Sequence, residues 1–112
     1  YANAGHPKPY CINDDGYIQL EGNDSFLGPI ADATYETHRL EMIRPSSILA
    51  FTDGILDITS DATTPVGQAM LHDVLKIKGK APIEKFKMIQ DYITGDEVVI
   101  TDDCTLMLVD LA

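Results

Sequence analysis

Aspartates at the ends of two apolar runs are the residues best suited to chemistry in this sequence. Asp53 directly follows the run SILAFT, and Asp102 and Asp103 stand just before the run TLMLV. Hard oxygen donors brought together at the mouths of neighbouring strands repel one another unless a cation such as Mg²⁺ or Mn²⁺ lies between them. The pattern therefore makes a divalent metal site one interpretation. Surface turns are the other, and spacing alone favours them, because Thr-Asp-Gly and Asp-Asp are common turn sequences.

A histidine near the start of the chain indicates proton transfer as a second kind of chemistry. His6 lies in the segment NAGHP at 3 to 7. A histidine beside a reacting oxygen could act as a general acid. A Gly-His-Pro turn can equally serve only to shape a loop, so both interpretations stay open. His38 in an alternating segment and His72 on a helix flank are both predicted to face solvent.

The first half of the chain is predicted to form the strands that position these groups. PYCINDDGYIQL at 9 to 20 carries two apolar runs around Asp15-Gly16, a pair that tolerates the positive backbone angles of a tight turn, and so predicts a β-hairpin. Turn-forming residues at 22 to 29 predict a loop. Residues 33 to 42 alternate polar and apolar as a half-exposed strand does. Residues 47 to 51 are continuously apolar and predict a strand buried on both faces.

The second half is predicted to form two helices. Thr64 suits a helix cap and Pro65 the first helical position. Apolar residues then recur every four positions, and Gly79 ends the helix. A second helix opens at Pro82, stacks apolar residues on one face and stops at Gly95.

One more predicted strand closes the chain and completes the order of elements. TLMLVDL at 105 to 111 predicts a central strand. Strands, then two helices, then a strand predict an α+β layered fold with an antiparallel sheet. The length of 112 residues, 45% of them hydrophobic and 23% charged, fits one small domain.

Charge and cysteine content argue against several classes of function. A formal charge of -10 repels a phosphate backbone, so no nucleic-acid partner is expected, although acidity also serves solubility. Cys11 and Cys104 stand in no metal-ligand spacing, which indicates neither a zinc site nor a disulfide framework and makes a reducing cytoplasm the expected location. No apolar run approaches the roughly 20 residues needed to span a bilayer, so no membrane segment is expected.

Four motifs stand in order along the chain and together resemble a known family. They are YANAGHPKP at 1 to 9, FLGP at 26 to 29, ILAFTDGILDIT at 48 to 59 and DDCTLMLV at 102 to 109. The set is similar to the bacterial branch of the protein phosphatase 2C-like (PPM-type) family, which includes the stage II sporulation phosphatase and regulators of the general-stress sigma factor. The resemblance implies a four-layer β-sandwich of antiparallel sheets flanked by helices. Residues 1 to 112 would be the C-terminal portion of one such domain.

The resemblance also implies roles for individual residues. The Asp of the TDG motif and the first Asp of the DDxT motif are metal ligands in the family, which carries over to Asp53 and Asp102, with Asp103 as a supporting residue or alternative ligand. The implied chemistry is hydrolysis of a phosphoserine or phosphothreonine ester by a water held between two Mn²⁺ or Mg²⁺ ions, with no protein nucleophile. Gly54 would leave room for backbone near the metals. The role of Asp57 stays open: it is either a surface carboxylate or a residue that supports the ligands.

The AGH motif extends the resemblance to the first residues of the chain. His6 becomes a candidate general acid, with Asn3 and Gly5 supporting it, and the structural turn remains the alternative. The implied substrate is a phosphorylated anti-sigma factor antagonist.

Two departures from the family pattern keep a second class of function open. The family's Gly-Asp and Asp-x-x-Gly-His segments have no match here, so we expect little or no turnover from residues 1 to 112 alone. The chain starts at Tyr1 inside a motif, so we expect the natural polypeptide to extend upstream, and exposed sheet edges make a homodimer plausible. The alternative to an enzyme is a non-catalytic, phosphatase-like interaction module.

Overall fold

The structure, a computed structural model, describes residues 1–42 and 45–111 and contains one antiparallel sheet with helices on one face. Its strands are β1 (Tyr10–Ile12), β2 (Tyr17–Gln19), β3 (Ser46–Phe51) and β4 (Leu106–Leu111), and its helices are α1 (Gly67–Leu75) and α2 (Pro82–Thr94). Across the sheet the strands lie in the order β2-β1-β3-β4, with antiparallel neighbours throughout. The predicted α+β class with an antiparallel sheet is confirmed. Neither helix of the described residues has the length and apolar character needed to cross a membrane.

The hydrophobic core lies between the sheet and the two helices. Alternate residues of a strand point to opposite faces, and the helix side of β1 and β3 carries Tyr10, Ile12, Leu49 and Phe51, none more than 3% exposed. The other buried members of the core are Ile55, Ile58, Met70, Leu71, Val74, Leu75 and Ile89. Burying each such side chain contributes about 1.5–3 kcal/mol, so this layer holds the described sheet and helices together.

The predicted hairpin forms, but a different residue makes its turn. β1 and β2 pair antiparallel, with Tyr10 opposite Gln19. The side chain of Asn13 accepts the backbone N–H groups of Asp15 and Gly16 at 2.9 and 3.0 Å. Neither residue of the Asp15-Gly16 pair has a positive φ. The prediction of positive backbone angles is therefore wrong, because the Asn13 side chain accepts the backbone N–H groups of the turn instead.

A buried lysine ties the hairpin turn to the helices. Lys85 of α2 is fully buried, and its ammonium donates to the carbonyl of Asn13 at 2.9 Å and to that of Leu75 at 3.1 Å. Leu75 ends α1, where unpaired carbonyls favour a cation. Burial lowers the pKa of Lys85, while Asp14 and Asp15 oppose that shift.

The strand predicted over 33–42 does not form. Within the described residues this segment has no ladder partner; its backbone bonds run to other loops instead. Tyr1 and His38 exchange two backbone bonds of 2.7 and 2.8 Å, and the Glu36 N–H donates to Asp24 at 2.9 Å. His38 is correspondingly not solvent-facing, since its side chain is 21% exposed and stacks on Tyr1. Alternating polarity identifies a segment suited to a sheet, but a strand needs a neighbour with free backbone groups.

The sheet face away from the helices is only partly covered, which makes two strand predictions wrong in part. β3, predicted to be buried on both faces, leaves Ile48 and Ala50 half-buried there. β4, predicted to be central, lies at the sheet edge and exposes Met107 by 53% and Val109 by 40%. An apolar run shows that a strand can be buried, but not which element covers each face.

Helix α1 begins two residues later than predicted. Val66 rather than Thr64 is its N-cap, and the N–H groups of Thr63 and Thr64 donate instead to the side chain of Asp61 at 2.9 and 2.8 Å. Pro65 pairs with Thr59 in a β-bridge rather than opening the helix. The second helix begins at Pro82 as predicted.

Candidate active site

The two predicted acidic loops meet where the β3–β4 ladder continues beyond its last regular pair. Thr52 follows β3, and its N–H donates to the Thr105 carbonyl at 3.0 Å. Its hydroxyl accepts the Thr105 N–H at 2.8 Å and donates to the Asp103 carbonyl at 3.0 Å. Three hydrogen bonds from one threonine therefore hold the loop before Asp53 against the loop that carries Asp103.

Gly54 marks the closest approach of these two loops. Asp53 opens a short 3₁₀ turn, Asp53–Ile55. A Cβ at Gly54 would overlap the carbonyl oxygen of Asp103 and lie 3.2 Å from that of Asp102. Any side chain at this position would push the loops apart. We call this region, residues 51–56 with residues 102–106, the strand junction.

The carboxylates at the strand junction face solvent. Asp53, Asp102 and Asp103 are all exposed, and one oxygen of Asp102 accepts the Asp103 N–H at 2.7 Å. Burial, followed by the charges of Asp102, Asp103 and Asp57, raises the pKa of the Cys104 thiol. The carboxylates of Asp102, Asp103 and Asp57 thus create a negative potential around Cys104.

The donor chemistry of the junction suits a hard cation, but the donor set is incomplete. Carboxylate oxygens are the ligands that Mg²⁺ and Mn²⁺ prefer. Among the described residues, however, no three His, Cys, Asp or Glu side chains gather into a group that could hold a metal. The residues present therefore fit only part of a two-cation site.

His6 is positioned by a side-chain clamp rather than by a strand. Asn3 is 5% exposed; its amide nitrogen donates to the His6 carbonyl at 2.9 Å, and its amide oxygen accepts the His6 N–H at 2.8 Å. Gly5 has a φ of +81°, and a Cβ there would overlap the ring of Phe26. The Nδ1 of His6 bonds the Pro7 carbonyl. A carbonyl only accepts, so Nδ1 carries the proton and Nε2 is the other reactive nitrogen.

One open groove brings His6 and Asp53 together. It has a volume of about 560 Å³ and is lined by Ala4, Gly5, His6, Pro7, Asn23, Phe26, Thr52, Asp53 and Leu56. Asp102 and Asp103 do not line this groove. They lie next to it, because Gly54, the residue after Asp53, approaches the backbone carbonyls of both. A larger groove of about 720 Å³ follows the helix-free sheet face and contains none of these aspartates.

Two features of the site were missed from the sequence. Thr52 was not singled out, although a threonine between a strand and Asp-Gly is the available signal. Phe26 was noted only as part of FLGP.

His72 is exposed as predicted, yet its two ring nitrogens each lie 3.2 Å from a tyrosine hydroxyl, one of Tyr10 and one of Tyr17.

Curated proteins similar to this chain include two bacterial proteins. Protein IcfG of Synechocystis sp. is 25% identical over 112 residues, which cover 97% of this chain and 18% of that protein. Phosphoserine phosphatase RsbP of Bacillus subtilis is 28% identical over 88 residues, which cover 78% of this chain and 20% of that protein. The chain thus spans a fifth or less of the length of these relatives.

A solved structure and a family model complete the comparison. The crystal structure of the RsbU and RsbW domains of Rv1364c from Mycobacterium tuberculosis matches with a TM-score of 0.69 at 22% identity, over 98% of this chain and 31% of that one. This likeness agrees with the predicted fold class. The family model for stage II sporulation protein E (SpoIIE) matches residues 1–112. The chain therefore belongs to the SpoIIE family, which confirms the predicted membership of the bacterial PPM-type branch.

Proposed function

We propose that this chain forms part of a metal-dependent protein serine/threonine phosphatase that acts on a phosphorylated anti-sigma factor antagonist in bacterial signalling. Membership of the SpoIIE family supports this, as does the similarity to a phosphoserine phosphatase, RsbP. The observation that carries the proposal is the contact of Gly54 with the Asp102 and Asp103 backbone, because it brings both acidic loops to one place. In this proposal residues 1–112 are the C-terminal portion of the phosphatase domain, which works in the cytoplasm.

Asp53 and Asp102 are the proposed ligands of Mn²⁺ or Mg²⁺, with Asp103 as the alternative. Their exposure leaves them open to a cation from solvent. Bound cations of this kind activate water and offset the charge that builds on phosphoryl oxygens. Gly54 supports the ligands by allowing the two loops to touch, and Asp57 adds negative charge beside them. Two ions are expected in the complete domain, so further carboxylates must come from elsewhere.

His6 is the proposed general acid. Its Nδ1 proton is donated to the Pro7 carbonyl, so Nε2 of the doubly protonated ring is the atom that would deliver a proton to the leaving serine oxygen and return to the neutral form. Asn3 and Gly5 hold the His6 backbone at the groove that Asp53 also lines. The groove is open, so a phosphoserine on a protein surface could enter it.

A non-catalytic interaction module is the second candidate. The observation that favours it is the lack of three gathered metal-ligating side chains within residues 1–42 and 45–111. A homodimer is the proposed assembly for either candidate, because β2 and β4 end the described sheet and sheet edges attract further strands.

The deciding experiment is Mn²⁺-dependent phosphate release from a phosphoserine peptide by the full-length polypeptide. We expect Asp53→Asn and Asp102→Asn each to lower kcat/KM by at least about 100-fold, because each removes a carboxylate charge from the metal site. Asp73→Asn is the matched control, since Asp73 is an exposed aspartate on α1 that pairs with Lys76 at 2.9 Å.

Activity that requires Mn²⁺ and disappears in the two variants but not in the control would establish the phosphatase. A well-folded full-length polypeptide without activity would instead favour the interaction module.

A further inference from the structure

Three large apolar side chains protrude together beside the candidate site. Phe26 is 65% exposed, Leu27 77% and Ile30 55%. We call these three residues the apolar rim. Exposed apolar side chains that cluster in one short segment, rather than scatter singly, indicate a surface that contacts another molecule.

The apolar rim is held in place rather than left free. The Tyr35 hydroxyl donates to the Phe26 carbonyl at 3.2 Å, and the Ala33 N–H donates to the Ile30 carbonyl at 3.3 Å. Gly5 packs directly beneath the Phe26 ring. A preorganised loop loses little conformational entropy when a partner binds, which favours affinity.

The rim also adjoins the groove of the candidate site. Phe26 lines that groove together with His6 and Asp53. A molecule that reaches Asp53 therefore passes next to Phe26, which Leu27 follows directly in the chain.

The charges near the apolar rim indicate what kind of partner would bind there. Residues 21–36 contain four carboxylates, Glu21, Asp24, Asp32 and Glu36, and no lysine or arginine. Glu21 pairs with Lys8 at 2.8 Å, so Asp24, Asp32 and Glu36 carry the negative charge offered to a partner. Complementary surfaces pair acidic with basic groups around an apolar centre. A partner that fits here carries apolar side chains flanked by lysine or arginine.

We propose that the apolar rim docks the polypeptide segment next to the phosphoserine of a protein substrate, and that this segment combines apolar residues with lysine or arginine. The inference rests on the proposed function for its substrate. A phosphoserine side chain alone carries no information about the protein to which it belongs, whereas a few buried apolar anchors supply most of the affinity of a protein interface. The rim would therefore distinguish one phosphoprotein from another.

The test compares two phosphoserine peptides in the full-length polypeptide with Mn²⁺, one with Leu and Lys beside the phosphoserine and one with Ser and Glu. We expect the wild type to favour the Leu/Lys peptide by at least about tenfold in kcat/KM, which corresponds to about 1.4 kcal/mol. The double variant Leu27→Ser with Ile30→Ser should reduce that ratio to about one. Ile83→Ser is the control, because Ile83 is 47% exposed on α2, away from the rim, and the ratio should survive it.

A second measurement separates the docking from the chemistry. The unphosphorylated peptides are bound without added metal and followed by fluorescence anisotropy. Tighter binding of the Leu/Lys peptide that is lost in the double variant supports the docking, even if phosphate release fails and the proposed function with it. Equal binding of both peptides, or a preference that survives the double variant, overturns the docking whatever the activity.

Discussion

The candidate site draws on two regions that are built in different ways. At the strand junction, Thr52 and Thr105 extend the β3–β4 ladder, so the aspartate loops share the geometry of the sheet. In the N-terminal lobe, residues 1–42 without the hairpin strands, one side chain, Asn3, holds the loop of His6. Disturbing the junction should therefore affect the whole fold, whereas disturbing the lobe should affect only its own loop.

The largest expected effect comes from Gly54→Ala, which tests the junction directly. The new methyl group overlaps the Asp103 carbonyl, so the loops must separate. We expect the free energy of unfolding to fall by about 3 kcal/mol, at the upper end for overpacking. The measurement is hydrogen exchange of the β3 and β4 amides in the full-length polypeptide during urea titration. Gly16→Ala is the matched control, because nothing lies within 4 Å of a Cβ there; equal effects at both glycines would contradict the role of the contact.

Thr52→Val should have the next largest effect. The substitution keeps the shape of the side chain but removes the hydroxyl that bonds both Thr105 and Asp103. We expect a loss of about 1–2 kcal/mol in the same exchange experiment, because two backbone partners lose their bonds. Thr52→Ser retains the hydroxyl and should recover most of the loss. If serine and valine behave alike, the hydroxyl does not hold the loops.

Asn3→Ala tests whether the lobe behaves independently. It removes both bonds to the His6 backbone, so the His6 amide should lose its protection from hydrogen exchange. The expected cost is about 1 kcal/mol, confined to the loop. Protection of the β3 and β4 amides should not change. A drop in their protection comparable to that of Gly54→Ala would show that the two regions are coupled.

The smallest effect is expected from Lys8→Met, which removes an exposed ion pair of the lobe. Lys8 and Glu21 lie 2.8 Å apart, and the hydrogen bond and charge of Lys8 lower the pKa of Glu21. A lowered carboxyl pKa adds stability above the ordinary pKa of Glu21, and this stability is lost as the pH falls through the folded pKa. We therefore expect the Glu21 pKa to rise in the variant, measured by NMR titration, with stability at neutral pH nearly unchanged because exposed pairs contribute little. An unchanged Glu21 titration would show that Lys8 does not reach it in solution.

Much of the fold could be predicted because local patterns agree with it. The hairpin, β3, both helices and β4 were all expected from apolar periodicity and turn residues, but α1 begins two residues later than predicted and ends at Leu75, before the predicted stop at Gly79. The strand over 33–42 was wrong because the backbone of this segment bonds the backbone of Tyr1 and the carboxylate of Asp24 rather than a neighbouring strand. The roles of the candidate site residues remain predictions; the structure describes only how Asp53, His6 and the 102–103 backbone lie near one another.

The family, the class of fold and the two acidic loops follow from residue types in chain order. Three further facts appear only in the folded chain: Gly54 touches the Asp103 carbonyl, Asn3 clamps His6, and β4 lies at a sheet edge. The Gly54 contact and the place of β4 join segments that are far apart in the chain, and the Asn3 clamp depends on a side-chain orientation that residue types alone do not specify. Apolar periodicity predicts which face of a strand or helix is buried. It does not predict which segment packs against that face, because this depends on close packing and hydrogen bonds between loops.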